Sequence, residues 1–314
     1  MQAAHTASRR GLILFLLLCF AAALLLGAAF YLYYIDRGYL EVAFLDVGQG
    51  DAALVYTPEH QTILIDGGEP SAGQYDLLPY LRARGIHTLD AAIVTHCHDD
   101  HYGGVLTLLQ AEDFTVKALY LHAPVPHSDG AAAVFQAARQ KGVATQAVMA
   151  GDRLAFSDTV LSVLAPSAAQ LEAAEAESNA TAAESAAENE ASMVLKLTYG
   201  ETAFLFTGDC SGDAADALIQ QGGLSADVLK LAHHGSAAAN KLGFLQAVQP
   251  RYAVISVGTD NIYRLPSAET LANLTLLGLQ PLRTDLDGVI VFTVTEDGIQ
   301  KIETGRDREQ EDAA

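Results

Sequence analysis

The segment His96-Cys97-His98-Asp99-Asp100-His101 sets three histidines and a carboxylate in the spacing His-x-His-x-Asp-His, and it restricts the local backbone more than any other stretch of the chain. Residues two apart do not share a helical face, so no helix can aim His96 and His98 at one point. The segment is therefore expected on a loop that bends sharply after a strand and turns all four side chains inward. Imidazole nitrogens with a carboxylate oxygen are the donor set favoured by zinc and similar divalent cations. Four ligands so close in sequence crowd one ion, whereas two ions a few ångströms apart divide them.

The surrounding pattern is α/β. Residues 40–47, 52–56 and 62–65 read as strands, and the apolar run 90–94 leads straight into the histidines. Helices are expected over 76–84, from Gly103 and Gly104 onward, and over 131–141. In the second half, 193–199 and 202–206 form a hairpin ending in Thr207-Gly208-Asp209, and the strand 227–231 runs into His233-His234. A further strand is expected at 252–257, with helices at 214–221 and 268–277. Two strand-rich halves, each followed by helices, point to two sheets packed together with helices outside. The chemistry sits at strand ends. Cys97 and Cys210, too few for a disulfide framework, read as packing residues beside it.

Residues 11–35 carry no charge and exceed the ~20 apolar residues needed to cross a bilayer. Arg9 and Arg10 precede the run, Asp36 follows it, and Tyr31, Tyr33 and Tyr34 gather at its far end in the manner of an interfacial aromatic belt. The run is longer than the roughly 7–15 apolar residues of a cleaved signal. The expected organisation is a cytoplasmic terminus over 1–10, a single-pass anchor in the cell membrane over 11–35, an extracytoplasmic domain over 36–300 and an acidic tail over 301–314. Residues 167–191 are dominated by Ala, Glu, Ser and Asn and read as a low-complexity insert, helical or disordered, without a functional role. A formal net charge of −20 opposes non-specific binding to nucleic acid or to an anionic surface. It leaves room for a phosphate substrate, because metal ions can dominate the local field.

Asp66, the histidine cluster, Thr207-Gly208-Asp209 and His233-His234-Gly235-Ser236 occur in the order seen in the metallo-β-lactamase fold superfamily. With Phe44-Leu45-Asp46-Val47-Gly48-Gln49-Gly50-Asp51 added, residues 40–295 resemble the hydrolase domain of ComEC-type DNA-uptake proteins. The resemblance implies an α/β fold, the metallo-β-lactamase αββα sandwich, here preceded by one transmembrane helix. It implies that His96 and His98 hold one divalent metal, that Asp100 and His101 hold a second, and that Asp209 bridges them. One of His233 and His234 completes the second site, and the metals are zinc or manganese. Such a centre generates a nucleophile from water near neutral pH and neutralises charge on the attacked group, which suits a phosphodiester such as single-stranded DNA. Asp100, His233 and His234 are the residues expected at the reacting groups.

Asp66 is expected to hold a ligand histidine by its other nitrogen, and Asp51 to contact the active site. Asn189 and Ser192 stand where many members of the superfamily carry a further histidine, and are expected to touch water or substrate. Arg264-Leu265-Pro266 replaces the Gly-His-Pro of ComEC-like domains, which casts Arg264 as a phosphate clamp. One apolar span cannot form a channel, so DNA uptake calls for a separate channel protein as partner. The competing readings are a hydrolase of a lactone or β-lactam on the same fold, and a non-catalytic binding domain stabilised by metal. His122 and His127 read as structural or solvent-exposed. His5, His60 and His87 carry no motif.

Overall fold

In the strand Leu40–Phe44, Leu40, Val42 and Phe44 are buried on one face and Ala43 on the other, the period-two pattern of a strand covered on both sides. The structure, a computed structural model, describes residues 15–16, 18–27, 38–122, 129–180 and 184–307. Among them an eight-stranded sheet runs in the order Gly298–Thr304, Ile290–Thr295, Leu40–Phe44, Ala53–Tyr56, Thr62–Ile65, Ala91–Ile93, Ala118–His122, Ala144–Val148. A seven-stranded sheet runs Leu282–Arg283, Tyr252–Ile255, Val228–Lys230, Thr202–Phe206, Val194–Tyr199, Thr159–Ala165, Arg153–Phe156.

The inner faces of the two sheets share one apolar core, in which Phe292 meets Phe44 and Phe204 edge-on at ring separations of 6.0 and 5.6 Å. The outer face of the first sheet packs on Leu77, Leu81, Val105, Leu108 and Val134 of its helices. That of the second packs on Leu218, Phe244, Leu245 and Leu274. The layers are therefore helix, sheet, sheet, helix, as expected.

Each sheet has a parallel section. Thr62–Ile65, Ala91–Ile93 and Ala118–His122 run parallel in the first, and Thr202–Phe206, Val228–Lys230 and Tyr252–Ile255 in the second. Their carboxyl ends deliver Asp66, His96, Asp209, His234 and Ser256 to one edge of the sandwich, where open α/β sheets gather their ligand-binding groups.

Residues 1–38 form a unit separate from 39–314. In it, 15–16 and 18–27 are helical with exposed Phe15, Phe20, Leu24 and Leu25. The expected span 11–35 falls partly, and the cytoplasmic stretch 1–10 wholly, outside the described residues. Among the described residues no helix is long and apolar enough to cross a membrane.

Five local expectations change. The histidine cluster is not wholly a loop: the helix Asp99–Gln110 begins inside it, with His98 as its extended N-cap. Asp99 and Asp100 favour that start because carboxylates complement the positive end of the helix dipole. Gly103 and Gly104 do not begin the helix but let it approach the loop after Thr62–Ile65. A Cβ on Gly104 would lie 1.9 Å from the Gly67 carbonyl oxygen, and one on Gly103 2.3 Å from Pro70 Cδ. The helix expected over 76–84 starts earlier, at Pro70, and reaches Ala83 in three segments.

The insert is helical over Ala168–Ala180 and Glu184–Glu190, and its second helix is built into the fold. Glu188 accepts the Cys97 amide at 3.2 Å, and Glu190 accepts the Ala214 amide at 2.9 Å. The edge strand Gly298–Thr304 carries the first sheet past residue 300, while 308–314 lie outside the described residues.

The close approach at Gly104 has a measurable consequence. Gly104→Ala forces backbone to move against backbone, and a loss of about 3 kcal/mol in unfolding free energy is expected from such overpacking. Denaturant unfolding checks it, with Gly243→Ala as the reference, since that glycine also lies in a helix and has open space around it and no positive φ.

Candidate metal centre

Asp66 adopts a left-handed backbone (φ 58) at the end of its strand, a conformation Asp tolerates better than most residues. Its carboxylate accepts the Thr95 amide at 2.8 Å and the Thr95 hydroxyl at 2.7 Å. The oxygen that takes the hydroxyl also faces His101 Nδ1 at 3.0 Å. This fixes the ring so that His101 Nε2 lies 3.2 Å from Asp209 Oδ1. The expected role of Asp66 as a holder of histidine thus has a matching geometry.

His96 and His98 turn toward one another, with Nε2 and Nδ1 2.9 Å apart. Two groups of donors result, each with its atoms within 4.8 Å of one another: His96, His98 and Asp209, and Asp100, His101, Asp209 and His234. Asp209 belongs to both. Its amide is held by the Ser192 hydroxyl at 3.3 Å, so Ser192 is buried beneath the centre instead of facing water or substrate as expected.

The turn after Val228–Lys230 separates the two adjacent histidines. His233, His234 and Gly235 all have positive φ (48, 51 and 84), a strained run for two non-glycine residues. Asn240 holds it, bonding the Ala232 amide and carbonyl and the Ser236 carbonyl at 3.1, 2.8 and 2.7 Å. The buried His234 ring bonds the Ser256 carbonyl through Nδ1 at 3.0 Å and meets Asp100 Oδ2 through Nε2 at 3.1 Å. His233 stands outside both donor groups. Its side chain is 36% exposed, with Nε2 3.6 Å from Asp209 Oδ2.

Charge is finely divided here. Burial holds His96 neutral by pushing its pKa well below the ordinary value, and His101 beside it adds to the effect. Burial also works against a charged His101, but Asp209, Asp100 and Asp66 outweigh it and raise that pKa well above normal. His234 follows the same logic: burial opposes its charge, and Asp209, Asp100 and Asp51 lift its pKa to about 10. Burial would raise Asp209, yet His101 and His234 hold it well below the carboxylate range. His233 is lowered, chiefly by burial.

The donor set fits divalent cations. His98 Nε2, His101 Nε2 and Asp209 Oδ1 are buried without a well-formed hydrogen bond, the last two facing one another at 3.2 Å, and such atoms are well placed to be completed by a cation.

Of the other expected site residues, Asp51 is buried and paired with Lys230 at 2.6 Å. Asn189 is half-buried with its Oδ1 unpartnered. Arg264 is exposed on the loop after Tyr252–Ile255. That loop is nonetheless adjacent to the centre: a Cβ on Gly235 would meet Pro266 at 2.7 Å, and one on Gly258 would meet the Gln49 amide at 2.6 Å. His122 is buried, 3.8 Å from Glu188, while His5 and His127 lie outside the described residues. Thr95, Glu188, Lys230, Asn240 and Ser256 support the site and were not singled out by sequence. Only Lys230 left a signal, as a lone charge in the apolar run Val228-Leu229-Lys230-Leu231.

Residues 45–259 match the family described as the metallo-beta-lactamase superfamily. The chain belongs to this superfamily. The chain is 34% identical over 269 residues to ComE operon protein 3 of Bacillus subtilis (strain 168), covering 80% of this chain and 33% of that protein. It is 29% identical over 261 residues to competence protein ComA of Neisseria gonorrhoeae, covering 82% and 33%. The chain thus spans about a third of the length of these relatives. Among solved structures, the metallo-beta-lactamase fold protein YhfI from Bacillus subtilis superposes with a TM-score of 0.51 at 13% identity, over 81% of this chain and 99% of its own. That likeness concerns the fold alone.

Proposed function

We propose that this superfamily member is a phosphodiester hydrolase working with two divalent cations, zinc or manganese, on single-stranded DNA or a related diester. The observation that carries the reading is the sharing of Asp209 between two donor groups. His96, His98 and Asp209 would hold one cation, and Asp100, His101, Asp209 and His234 the other. Cations in such a pair make water acidic enough to attack near neutral pH and offset charge on the attacked phosphorus.

The remaining work falls to the chain. Asp100, the more exposed of the two donor carboxylates, orients the attacking water from the open side. His233, kept neutral by burial at the rim, offers its N–H to a phosphoryl oxygen or to the leaving oxygen. Arg264, on the neighbouring loop, grips a second phosphate oxygen. Kinship with a protein named for competence supports nucleic acid as the diester. The uncharged run 11–35, flanked by Arg9-Arg10 and Asp36, supports an anchor in the cell membrane with the hydrolase domain outside.

The test is metal analysis of the purified chain together with a screen of bis-aryl phosphodiesters, single-stranded oligonucleotides, lactones and β-lactams. Two metal equivalents and diester cleavage abolished by a chelator are expected. Cleavage of lactones without diesters sinks the reading and favours the non-phosphate alternative, and stoichiometric metal with no turnover favours a binding domain.

A further inference from the structure

Lys230 is a buried lysine at the floor of the centre. Its Nζ donates to Asp51 Oδ2 at 2.6 Å and to the Leu231 carbonyl at 2.9 Å. Asp51 follows the Gly48-Gln49-Gly50 turn in the first sheet, and Lys230 ends a strand of the second, so the bond joins the sheets directly beneath the site. The other Asp51 oxygen lies 3.3 Å from His234 Nδ1, while Nε2 of that ring faces Asp100 and Asp209. A buried ion pair adds little stability over a well-packed apolar pair, so its stability contribution alone does not account for a charge here.

Two features show what the charge does. His234 sits on a strained turn, with its Nδ1 between the Ser256 carbonyl and Asp51, so the direction of Nε2 depends on both. Asp51, Asp66 and His101 also form a third buried set of donors within 4.8 Å, behind the two that share Asp209. A cation drawn there would compete with the productive positions. Lys230 occupies one Asp51 oxygen and places a positive charge against that set.

We propose that Lys230 is a positioning residue: through Asp51 it fixes the His234 ring toward Asp100 and Asp209, and it keeps divalent cations out of the set behind them. The inference rests on the two-cation reading above and goes beyond it in assigning control of the second position to a residue that touches no cation.

Titration of the metal-free chain with Co(II), followed by its ligand-field absorption, tests this. The unaltered chain is expected to take up two equivalents. In Lys230→Met and in Asp51→Asn the first equivalent keeps its affinity, and the second weakens by about 10–100-fold, the usual effect of losing a group that orients a ligand. The double variant is expected to be no worse than either single, because both act along one path. A second equivalent with unaltered affinity and spectrum in either folded variant overturns the proposal, as does a double variant in which the losses multiply. If Lys230→Met does not fold, Asp51→Asn, which keeps shape and loses charge, carries the test. Fewer than two equivalents on the unaltered chain defeats the two-cation reading and this inference together. Two equivalents there with unchanged variants defeats the inference alone.

Discussion

Asp209→Ala is expected to abolish diester cleavage and to lower bound metal from two equivalents to one or none. No other residue belongs to both of these donor groups, and its Oδ1, 3.2 Å from His101 Nε2, makes no well-formed hydrogen bond. Groups that merely orient a ligand are worth about 10–100-fold in affinity or activity, so removal of a shared donor is expected to exceed ~100-fold. The same change strips His101 and His234 of their strongest counter-charge. Breaking a buried pair in this way is expected to destabilise the metal-free protein by about 3–5 kcal/mol. Metal analysis, initial rates and denaturant unfolding measure the three effects separately. Normal turnover with two bound equivalents in this variant would remove Asp209 from the centre.

Metal loading at pH 7 is expected to release about two protons, one each from His101 and His234, because a nitrogen cannot hold a proton and a cation at once. Their pKa values in the metal-free protein stand well above normal and at about 10, whereas His96 is already neutral. The sign for stability follows from the same shifts. A histidine whose pKa is raised on folding contributes fully below its unfolded value near 6.5, and the contribution fades as pH climbs through the folded value. The metal-free protein is therefore expected to weaken between pH 6.5 and about 10 on account of His234, with His101 acting in the same sense. Cation affinity rises over that range as proton competition fades. Calorimetric titration in two buffers of different ionisation enthalpy counts the protons, and thermal unfolding with and without chelator follows the opposed trends. Loading without proton release would contradict the assignment.

The sequence exposed the centre where its spacing left few alternatives. His96 to His101, Asp209 and His233-His234 follow strand ends, and short apolar runs before them made those ends legible. Between His233 and His234 nothing in the sequence decides. The structure separates them through three successive positive φ values and the Ser256 carbonyl, both products of tertiary packing. Gly103 and Gly104 look like a helix boundary in the sequence, whereas the helix starts at Asp99 and their bareness serves contact with Gly67 and Pro70. Glu188 was hidden by composition: a segment rich in Ala and Glu gives no sign that one carboxylate will face the Cys97 amide. The pair of Asp51 and Lys230 is 179 residues apart in the chain, beyond the reach of any local pattern.

That separation bears on how the protein acquires its active form. The histidine cluster belongs to the first sheet, while Asp209 and His234 arrive from the second, more than a hundred residues later in the chain. Bringing such distant segments together carries the entropy of closing long loops, which makes these contacts late events in folding. A chain whose first half alone has folded owns four of the donors and neither of the other two. Competence to capture a cation pair is thus a property of the docked sandwich, and its appearance during refolding would mark the moment when the two halves of the chain first recognise each other.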